Sequence, residues 1–175
     1  MTEEAMMLKD VYSDLNAIPF LYELLRQRDI DTVSLSHRVM PTVEDHIEFY
    51  RSKPYRWWYI VHASGQSVGT VYLTTRDEIG IDIRKDKQRC GYGAWAVKEL
   101  MRRHPNSKPF LANINPKNTA SLEMFRSIGF VDFQVTLRYN VAREISDGSE
   151  LSSATGRNQG GFSDNEAVAG RGSDG

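Results

Sequence analysis

The sequence predicts an α/β domain with a mixed sheet that is mostly antiparallel. Along residues 1–143 the apolar residues switch repeatedly between the alternation typical of strands and the three-to-four spacing typical of helices. Two strand-like runs are joined by Ser64-Gly65-Gln66, a length typical of an antiparallel hairpin. A helix-like segment separates the strand-like segments 78–83 and 110–114, and such a crossover makes its two strands parallel.

The N-terminal third predicts one strand and two helices. Met6 to Val11 form the first predicted strand. Asp14 can cap a helix that runs to Leu25, with Pro19 in the first turn, where proline is tolerated. A second helix is predicted to open at Thr42, because two acidic residues follow it in the first turn.

The remaining elements bring the predicted total to seven strands and four helices. The further strands span 56–63, 67–75, 78–83, 110–114, 130–134 and 137–141, and the further helices span 93–103 and 118–128.

Composition and charge exclude several function classes. The 22 basic and 23 acidic residues give a net charge of -1, without the basic excess of a nucleic-acid-binding protein. Cys90 is the single cysteine, which excludes an internal disulfide and a multi-cysteine metal site. No apolar run approaches the roughly 18 residues of a membrane span, and the N-terminus does not resemble a signal peptide. We expect a cytoplasmic protein with no metal, no membrane and no nucleic-acid partner.

Residues 144–175 predict a flexible tail. They contain seven of the 13 glycines and a single aromatic residue, Phe162, so they have too little apolar surface to offset the entropy of ordering. Two arginines against six acidic residues give this tail a charge of -4, and 20 basic against 17 acidic residues leave +3 on residues 1–143. We predict a domain over 1–143 and a tail over 144–175; the alternative is a segment that folds on a partner.

Residues 84–94 predict a phosphate-binding turn. A strand ending at Ile83 is followed by a polar loop containing Gly91 and Gly93, and a helix follows directly. Unpaired N–H groups at a helix start bind phosphate oxygens, and glycines let a ligand come close. A tight turn without a ligand is the alternative for this segment taken alone, because Gly-x-Gly is a weak signal.

A second segment, 111–130, favours the ligand-binding interpretation. It predicts a strand, a turn at Pro116, and a helix opened by Asn118 and closed by Gly129. The order of Gln88-Arg-Cys-Gly-Tyr-Gly, Asn118-x-x-Ser and Gly129-Phe resembles the GNAT superfamily of N-acetyltransferases.

The resemblance covers about residues 5–142, and its specific motifs lie within 78–130. Ser34-Leu-Ser-His-Arg and Glu44-Asp-His resemble the ribosomal-protein alanine acetyltransferase-like branch. The resemblance implies a GNAT-like sheet of about seven strands, flanked by about four helices and splayed between strands 4 and 5.

The resemblance also implies that acetyl-CoA is the co-substrate and binds between strands 4 and 5. The fourth strand would bond the pantetheine arm through its backbone, and the pyrophosphate would lie on the glycine-containing loop. Two of the implied contacts, Asn118 and Ser121, have the alternative roles of N-cap and buried first-turn hydroxyl. The implied cofactor-binding residues are Ile81, Ile83, Gln88, Arg89, Cys90, Gly91, Tyr92, Gly93, Ala94, Asn118 and Ser121.

Acetyl transfer to an amine needs a base, because an ammonium with a pKa near 10.4 has no lone pair until it loses a proton. Glu78 begins the fourth strand, where family members carry acidic bases, and is the first candidate. Asp82 lies on the same face by strand alternation and is the second candidate. A solvated or ion-paired carboxylate is the alternative role for both. A backbone N–H near Ile81 would hold the oxyanion.

The resemblance places the acceptor pocket around the second helix and second strand. Tyr50, Trp57, Tyr72 and Asn113 are the predicted acceptor-binding residues, and core packing is the alternative for the aromatic ones. Phe125 stands where many family members carry a tyrosine that protonates the leaving thiolate. The thiolate would then leave unprotonated, or take a proton from water or from Ser121.

The leading hypothesis is an acetyl-CoA-dependent N-acetyltransferase, monomeric or homodimeric, acting on a primary amine. The acceptor classes left open are a protein N-terminus, an amino sugar and other small amines. The alternative is a non-catalytic, regulatory acyl-CoA-binding module, which Phe125 and the long tail favour.

Overall fold

The computed structural model describes residues 5–28, 40–107 and 109–136. The chain divides into two units, Met1–Gln134 and Val135–Gly175. The predicted boundary after Arg143 lies outside the described residues, so the domain and the tail stay predictions. The elements are β1 (Met6–Asp10), α1 (Ala17–Arg26), α2 (Val43–Arg51), β2 (Trp57–Ala63), β3 (Gln66–Leu73), β4 (Ile79–Ile83), α3 (Tyr92–Arg103) and α4 (Thr119–Ser127).

The four strands form one antiparallel sheet in the order β1-β2-β3-β4. The predicted hairpin between β2 and β3 is confirmed, and its turn uses left-handed φ angles at Ser64 (+47°) and Gly65 (+77°). Val71 of β3 pairs with Ile81 of β4, which fixes the faces that the side chains of these strands occupy.

The two faces of the sheet carry different helices. Tyr59 and Val61 of β2 point into a cluster formed with α3 and α4, whereas Trp58 and Ile60 point into a second cluster with α1. We call these the α3 face and the α1 face. The fully buried side chains of the α3-face cluster include Val61, Val68, Val71, Leu73, Val97 and Leu100.

Local capping fixes where the helices begin. The Thr42 hydroxyl accepts from the N–H of Asp45 at 3.1 Å, and the Asp45 carboxylate accepts from the N–H of Thr42 at 3.2 Å, a capping box that confirms the predicted start of α2. Helix α1 begins at Ala17, later than predicted. The Asp14 carboxylate accepts from the N–H of Asn16 at 3.1 Å and lies 3.3 Å from Nε2 of His62, so it shapes the preceding turn.

The described residues contain fewer strands than the seven predicted. Residues 110–114 reach the sheet through one parallel bridge at Leu111 rather than as a strand. Residues 130–134 alternate like a strand but have no strand partner in the described ranges, and Val131 and Phe133 are exposed. The structure assigns no strand to 130–134. The strand predicted next to it, 137–141, lies outside the described residues, so the count of seven strands stays a prediction.

Candidate active site

Within the described ranges, the backbone of β4 pairs with the segment that follows α3 at a single bridge. Glu78 pairs with Leu111 in a parallel bridge. The N–H of Ile79 donates to the carbonyl of Leu111 at 2.7 Å, and the N–H of Leu111 donates to the carbonyl of Asp77 at 2.9 Å. No further pairing joins these segments in the described ranges, so the rest of β4 is an edge strand. We call it the open edge.

The backbone groups of alternate residues face the open edge. The carbonyl of Glu78 accepts from Thr74 and the N–H of Arg84 donates to Val68, each at 3.0 Å, so the even-numbered residues of β4 bond to β3. The N–H groups of Ile81 and Ile83 therefore point outward. Beyond the bridge, Ile81 carries the first outward N–H without a strand partner in the described part of the chain.

The start of α3 presents backbone N–H groups without a side-chain cap. Its N-cap is Gly91, at φ +83°, a left-handed conformation that glycine adopts without steric cost. No side chain caps this helix. A Cβ added at Gly93 would lie 3.7 Å from the Ile83 side chain, so the first turn packs directly against the end of β4. The N–H groups of Tyr92, Gly93 and Ala94 belong to this uncapped turn.

The loop before α3 has a basic excess and an ordered backbone. Residues 84–89 hold four basic side chains and one acid, Asp86, which pairs with Arg84 at 3.0 Å. The Gln88 side chain donates to the carbonyl of Ile83 at 3.2 Å, so its amide ties the loop to β4. The Cys90 thiol is exposed and lies 3.5 Å from the carbonyl of Gln88.

Arg89 extends this loop toward α4. Its φ is +62°, and its side chain lines a groove of about 400 Å³. The other residues that line the groove are Ala120, Glu123, Met124 and Ser127 of α4.

Asn118 is the N-cap that opens helix α4, as predicted. The Asn118 side chain accepts from the N–H of Ser121 at 3.1 Å, so it acts as the N-cap. Phe125 is 3% exposed and packs edge-on against Phe130, with ring centroids 5.0 Å apart. The side chain at this position is part of the core and has no proton to donate.

Glu78 lies where β4 and Leu111 separate, and three side chains hold its carboxylate. Oε2 accepts from the Thr74 hydroxyl and from Nη2 of Arg76, both at 3.2 Å. Oε1 accepts from Nδ2 of Asn113 at 3.1 Å. The Arg76 side chain is 80% exposed, so this ion pair contributes little energy. Asn113, a predicted acceptor-binding residue, therefore contacts the candidate base.

Tyr72 of β3 covers Gly80 on the α1 face. A Cβ built on Gly80 would lie 2.0 Å from Cζ of Tyr72, so this ring needs a glycine beneath it. The Tyr55 ring stacks on Tyr72 at a centroid distance of 3.9 Å. Burial, together with the charge and the hydrogen bond of Tyr72, raises the pKa of the Tyr55 hydroxyl, which therefore stays protonated.

Asp82 is paired with Arg28, which follows α1. The two side chains meet at 2.5 Å between Nε of Arg28 and Oδ2 of Asp82. Burial raises the pKa of the Asp82 carboxyl, and the Arg28 guanidinium opposes that shift. Burial lowers the pKa of Arg28, but Asp82 outweighs this effect and the net shift is upward. At neutral pH we therefore describe the two groups as an ion pair.

The other predicted acceptor-binding residues do not all lie together. Tyr72 and Tyr50 belong to the α1-face cluster, where the Tyr50 hydroxyl donates to the carbonyl of Val11 at 3.4 Å. Trp57 lies elsewhere. It stacks on His104, at the C-terminal end of α3, with centroids 4.3 Å apart. Alternation along β2 puts Trp57 on the α3 face, which separates it from Tyr72.

Sequence reasoning missed Arg28, Thr74 and Arg76 as parts of the site. Arg28 and Asp82 are 54 positions apart, so no local spacing could have paired them. Thr74 and Arg76 lie in the turn before Glu78, and an acid held by its own turn is a signal that the sequence does contain.

Two kinds of feature are absent from the described part of the chain. No group of three or more histidine, cysteine, aspartate or glutamate side chains there could hold a metal ion. No helix among those residues is long and apolar enough to cross a membrane.

Comparison with known proteins gives structural neighbours only. No protein-family model matches the chain, and no curated protein matches it. A domain from Methanocaldococcus jannaschii matches with a TM-score of 0.65 and 19% identity, over 75% of this chain and 92% of that one.

Two further neighbours are acetyltransferases solved with CoA. RimL, a ribosomal alpha-N-protein acetyltransferase in complex with coenzyme A, matches with a TM-score of 0.59 and 14% identity, over 74% of this chain and 82% of that one. An aminoglycoside N-acetyltransferase in complex with CoA matches with a TM-score of 0.60 and 14% identity, over 80% and 97%. The chain therefore has the fold of GNAT acetyltransferases; the ribosomal-protein branch stays a prediction.

Proposed function

We propose that the chain is an acetyl-CoA-dependent N-acetyltransferase that transfers an acetyl group directly to a primary amine. The observation that carries the proposal is the continuity of the open edge with the uncapped start of α3. Outward N–H groups at Ile81 and Ile83 lead from the bridge at Glu78 to the glycine turn at Gly91. Five residues of β4, about 16 Å at the rise of a strand, separate the two ends, which suits an elongated ligand with a phosphate at one end.

The residues at these two ends fit acyl-CoA. An uncapped helix start, entered through a left-handed glycine and preceded by a loop with basic excess, is a donor set for phosphate oxygens. The N–H groups of Tyr92, Gly93 and Ala94 would hold the pyrophosphate, with Gln88 and Cys90 shaping the loop. Arg89 would meet the ligand in the groove beside α4. Ile81 and Ile83 would bond the pantetheine arm, and Asn118 and Ser121 would lie along it. When bound, acetyl-CoA supplies an activated thioester.

Glu78 is proposed as the base. It takes a proton from the acceptor ammonium, directly or through one water, and so frees the nitrogen lone pair for attack. Three hydrogen-bond donors fix the carboxylate at the inner end of the open edge. The N–H of Ile81 would hold the oxyanion as the carbonyl becomes tetrahedral. Asp82 is the weaker candidate, because its carboxylate is already engaged by Arg28.

The leaving thiolate has no acid at Phe125, whose buried ring belongs to the core. A thiol has a pKa of about 8.5, so its thiolate is a tolerable leaving group near neutral pH. Water or the Ser121 hydroxyl supplies the proton afterwards. Phe125 is also the observation that favours the second candidate function, a regulatory acyl-CoA-binding module without turnover.

The fold leaves the acceptor open. Solved structures with this fold are named for acceptors as different as a ribosomal protein and aminoglycosides. A protein N-terminus, an amino sugar and other small amines all stay within the proposal.

Calorimetry with acetyl-CoA, paired with thiol release across a pooled panel of amines, tests the proposal. Binding with amine-dependent thiol release is expected. Binding without release from any pool would favour the non-catalytic module. Absence of binding would remove the glycine turn from the site and overturn both functions.

A further inference from the structure

The packing of the β4 side chains indicates from which side an acceptor can reach the open edge. Ile81 and Ile83 turn their side chains toward the α3 face, where they pack against the core that includes α3. An amine that approaches the outward N–H of Ile81 must therefore come past the α1 face. There β4 presents Glu78, Gly80 and Asp82, which alternation puts on that side.

The two ends of β4 carry different charged groups on the α1 face. Glu78, at the inner end, is an acid whose contacts are all hydrogen-bond donors. Asp82, at the other end, is covered by the guanidinium of Arg28. The tip of the Tyr72 ring lies over Gly80 between the two ends, and the Tyr55 ring stacks on Tyr72. An acidic end and a guanidinium end therefore face the same approach.

Within the described residues, Arg28 uses only its Nε donor. A guanidinium carries five N–H bonds, and Asp82 accepts from Nε. The terminal nitrogens of Arg28 make no hydrogen bond to any residue within 5–28, 40–107 or 109–136. The side chain is 31% exposed, so a ligand can reach it, while Asp82 holds it in place.

We infer that the acceptor is a zwitterionic amino acid whose carboxylate binds the terminal nitrogens of Arg28 while its amine faces Glu78. The inference rests on the proposed function and narrows its acceptor class. Cα atoms four positions apart in a strand are separated by about 13 Å. A short molecule with an amine at one end and a carboxylate at the other has the length to reach both side chains, and it would lie along the Tyr72 and Tyr55 rings between them. Guanidinium groups bind carboxylates through two parallel hydrogen bonds.

The test compares amino acids with their carboxamides, which keep the amine and lose the negative charge. The full chain is assayed for thiol release with saturating acetyl-CoA and α-, β- and γ-amino acids, each beside its amide. We expect kcat/KM for the best acid to exceed that for its amide by at least about 30-fold, because a site built for a charged group rejects the neutral analogue. In Arg28→Gln the ratio should fall to within about threefold of unity.

Two further variants keep the test independent of folding. Arg26→Gln removes a guanidinium two positions away that is 64% exposed, and should keep the acid-to-amide ratio. Arg28→Gln combined with Asp82→Asn removes both charges, so no unpaired carboxylate is left buried. Thermal unfolding and calorimetry with acetyl-CoA report whether each variant is folded and still binds the co-substrate.

Binding provides a readout besides turnover: N-acetyl amino acids and their amides are titrated into the protein with CoA present. A preference for the acids that Arg28→Gln abolishes supports the inference. Acetylation of amines with equal kcat/KM for acid and amide overturns the inference and leaves the proposed function standing. A preference for acids that persists in Arg28→Gln removes Arg28 from it. Acetyl-CoA binding without acetylation of any amine, and without acid-selective product binding, overturns the inference together with the catalytic proposal.

Discussion

The α3 face and the α1 face of the same sheet present polar groups in different ways. Next to α3, the candidate site consists of backbone N–H groups, which lie along the open edge and at the start of α3, where Gly91 is the N-cap. Toward the α1 face it consists of side chains: Glu78, Tyr72, Asp82 and Arg28. The first arrangement needs particular backbone angles, and the second needs particular side chains.

Because of this difference, the two halves of the site suit different kinds of ligand. Backbone N–H groups are the same whatever the neighbouring side chains are, so they suit a ligand common to a whole fold. Side chains differ between proteins with that fold, so they suit the variable ligand. The α3 face is therefore where a shared co-substrate would bind, and the α1 face is where acceptor specificity would lie.

The largest effect is expected from Gly91→Asp. The new carboxylate would lie at the helix start that we propose for the pyrophosphate, where the two like charges repel. Acetyl-CoA affinity measured by calorimetry should fall by at least about 100-fold, or about 2.7 kcal/mol.

Gly65→Asp is the matched control for this change. Gly65 has φ +77° against +83° at Gly91, and a Cβ at either position would meet no atom within 4 Å. Both variants therefore carry similar backbone strain, but Gly65 lies in the β2–β3 turn. Equal loss of affinity in the two variants would mean that strain, rather than charge at the loop, is responsible.

Glu78→Gln should give the next largest effect. The amide keeps the size of the side chain and loses the ability to take a proton, so kcat should fall by about 100-fold or more. Acetyl-CoA affinity should change little, because Glu78 lies at the opposite end of β4 from the glycine turn. Glu48→Gln, at an exposed position on α2, provides the control. An unchanged kcat and pH profile would remove Glu78 from the mechanism.

Gly80→Ala tests how tightly the α1 face is packed, because it adds a methyl group beneath the Tyr72 ring. The added methyl would lie 2.0 Å from the Tyr72 ring, which must move and take the stacked Tyr55 with it. We expect a loss of about 1–3 kcal/mol in the free energy of unfolding, measured by denaturant titration. Combining it with Tyr72→Ala should recover part of the loss caused by the clash. Full stability in Gly80→Ala alone would contradict the close packing of these strands.

The same contrast explains how much could be predicted from the sequence. The glycine turn and the caps at Thr42 and Asn118 depend on neighbours within a few positions, and the structure has each element where the spacing predicts it. The Arg28–Asp82 pair joins residues 54 positions apart and depends on how α1 packs on the sheet. Local patterns contain no information about such a pair.

The strand prediction at 110–114 failed for a related reason. A short apolar run describes side chains that could line a sheet, but a strand exists only when a neighbour offers backbone partners. At Leu111 that neighbour is present for a single bridge. Trp57 illustrates the same limit for side chains: its aromatic character suggested the acceptor pocket, but its register on β2 directs it to His104.

The smallest effect concerns acid stability on the helix side of the α3 face. Glu99 of α3 accepts from Arg102 at 2.7 Å and from Arg103 at 2.9 Å, and these side-chain hydrogen bonds hold its pKa at about 2. Because this pKa lies below the ordinary value of 4.5, the stabilisation is fully present above pH 4.5 and is lost as the pH falls through about 2.

Glu99→Gln should therefore lower the free energy of unfolding at pH 7 by only about 0.5–1 kcal/mol, since Arg102 is 72% exposed and solvent screens the pair. Thermal unfolding of both proteins at pH 7, 4 and 2 measures this, and the difference should disappear at the lowest pH. On the α1 face, burial shifts the pKa of Asp82 in the opposite direction. The difference in stability between Glu99→Gln and the unsubstituted protein could instead stay constant from pH 7 to 2. That result would show that packing, rather than charge, accounts for the contribution of Glu99 to the free energy of unfolding.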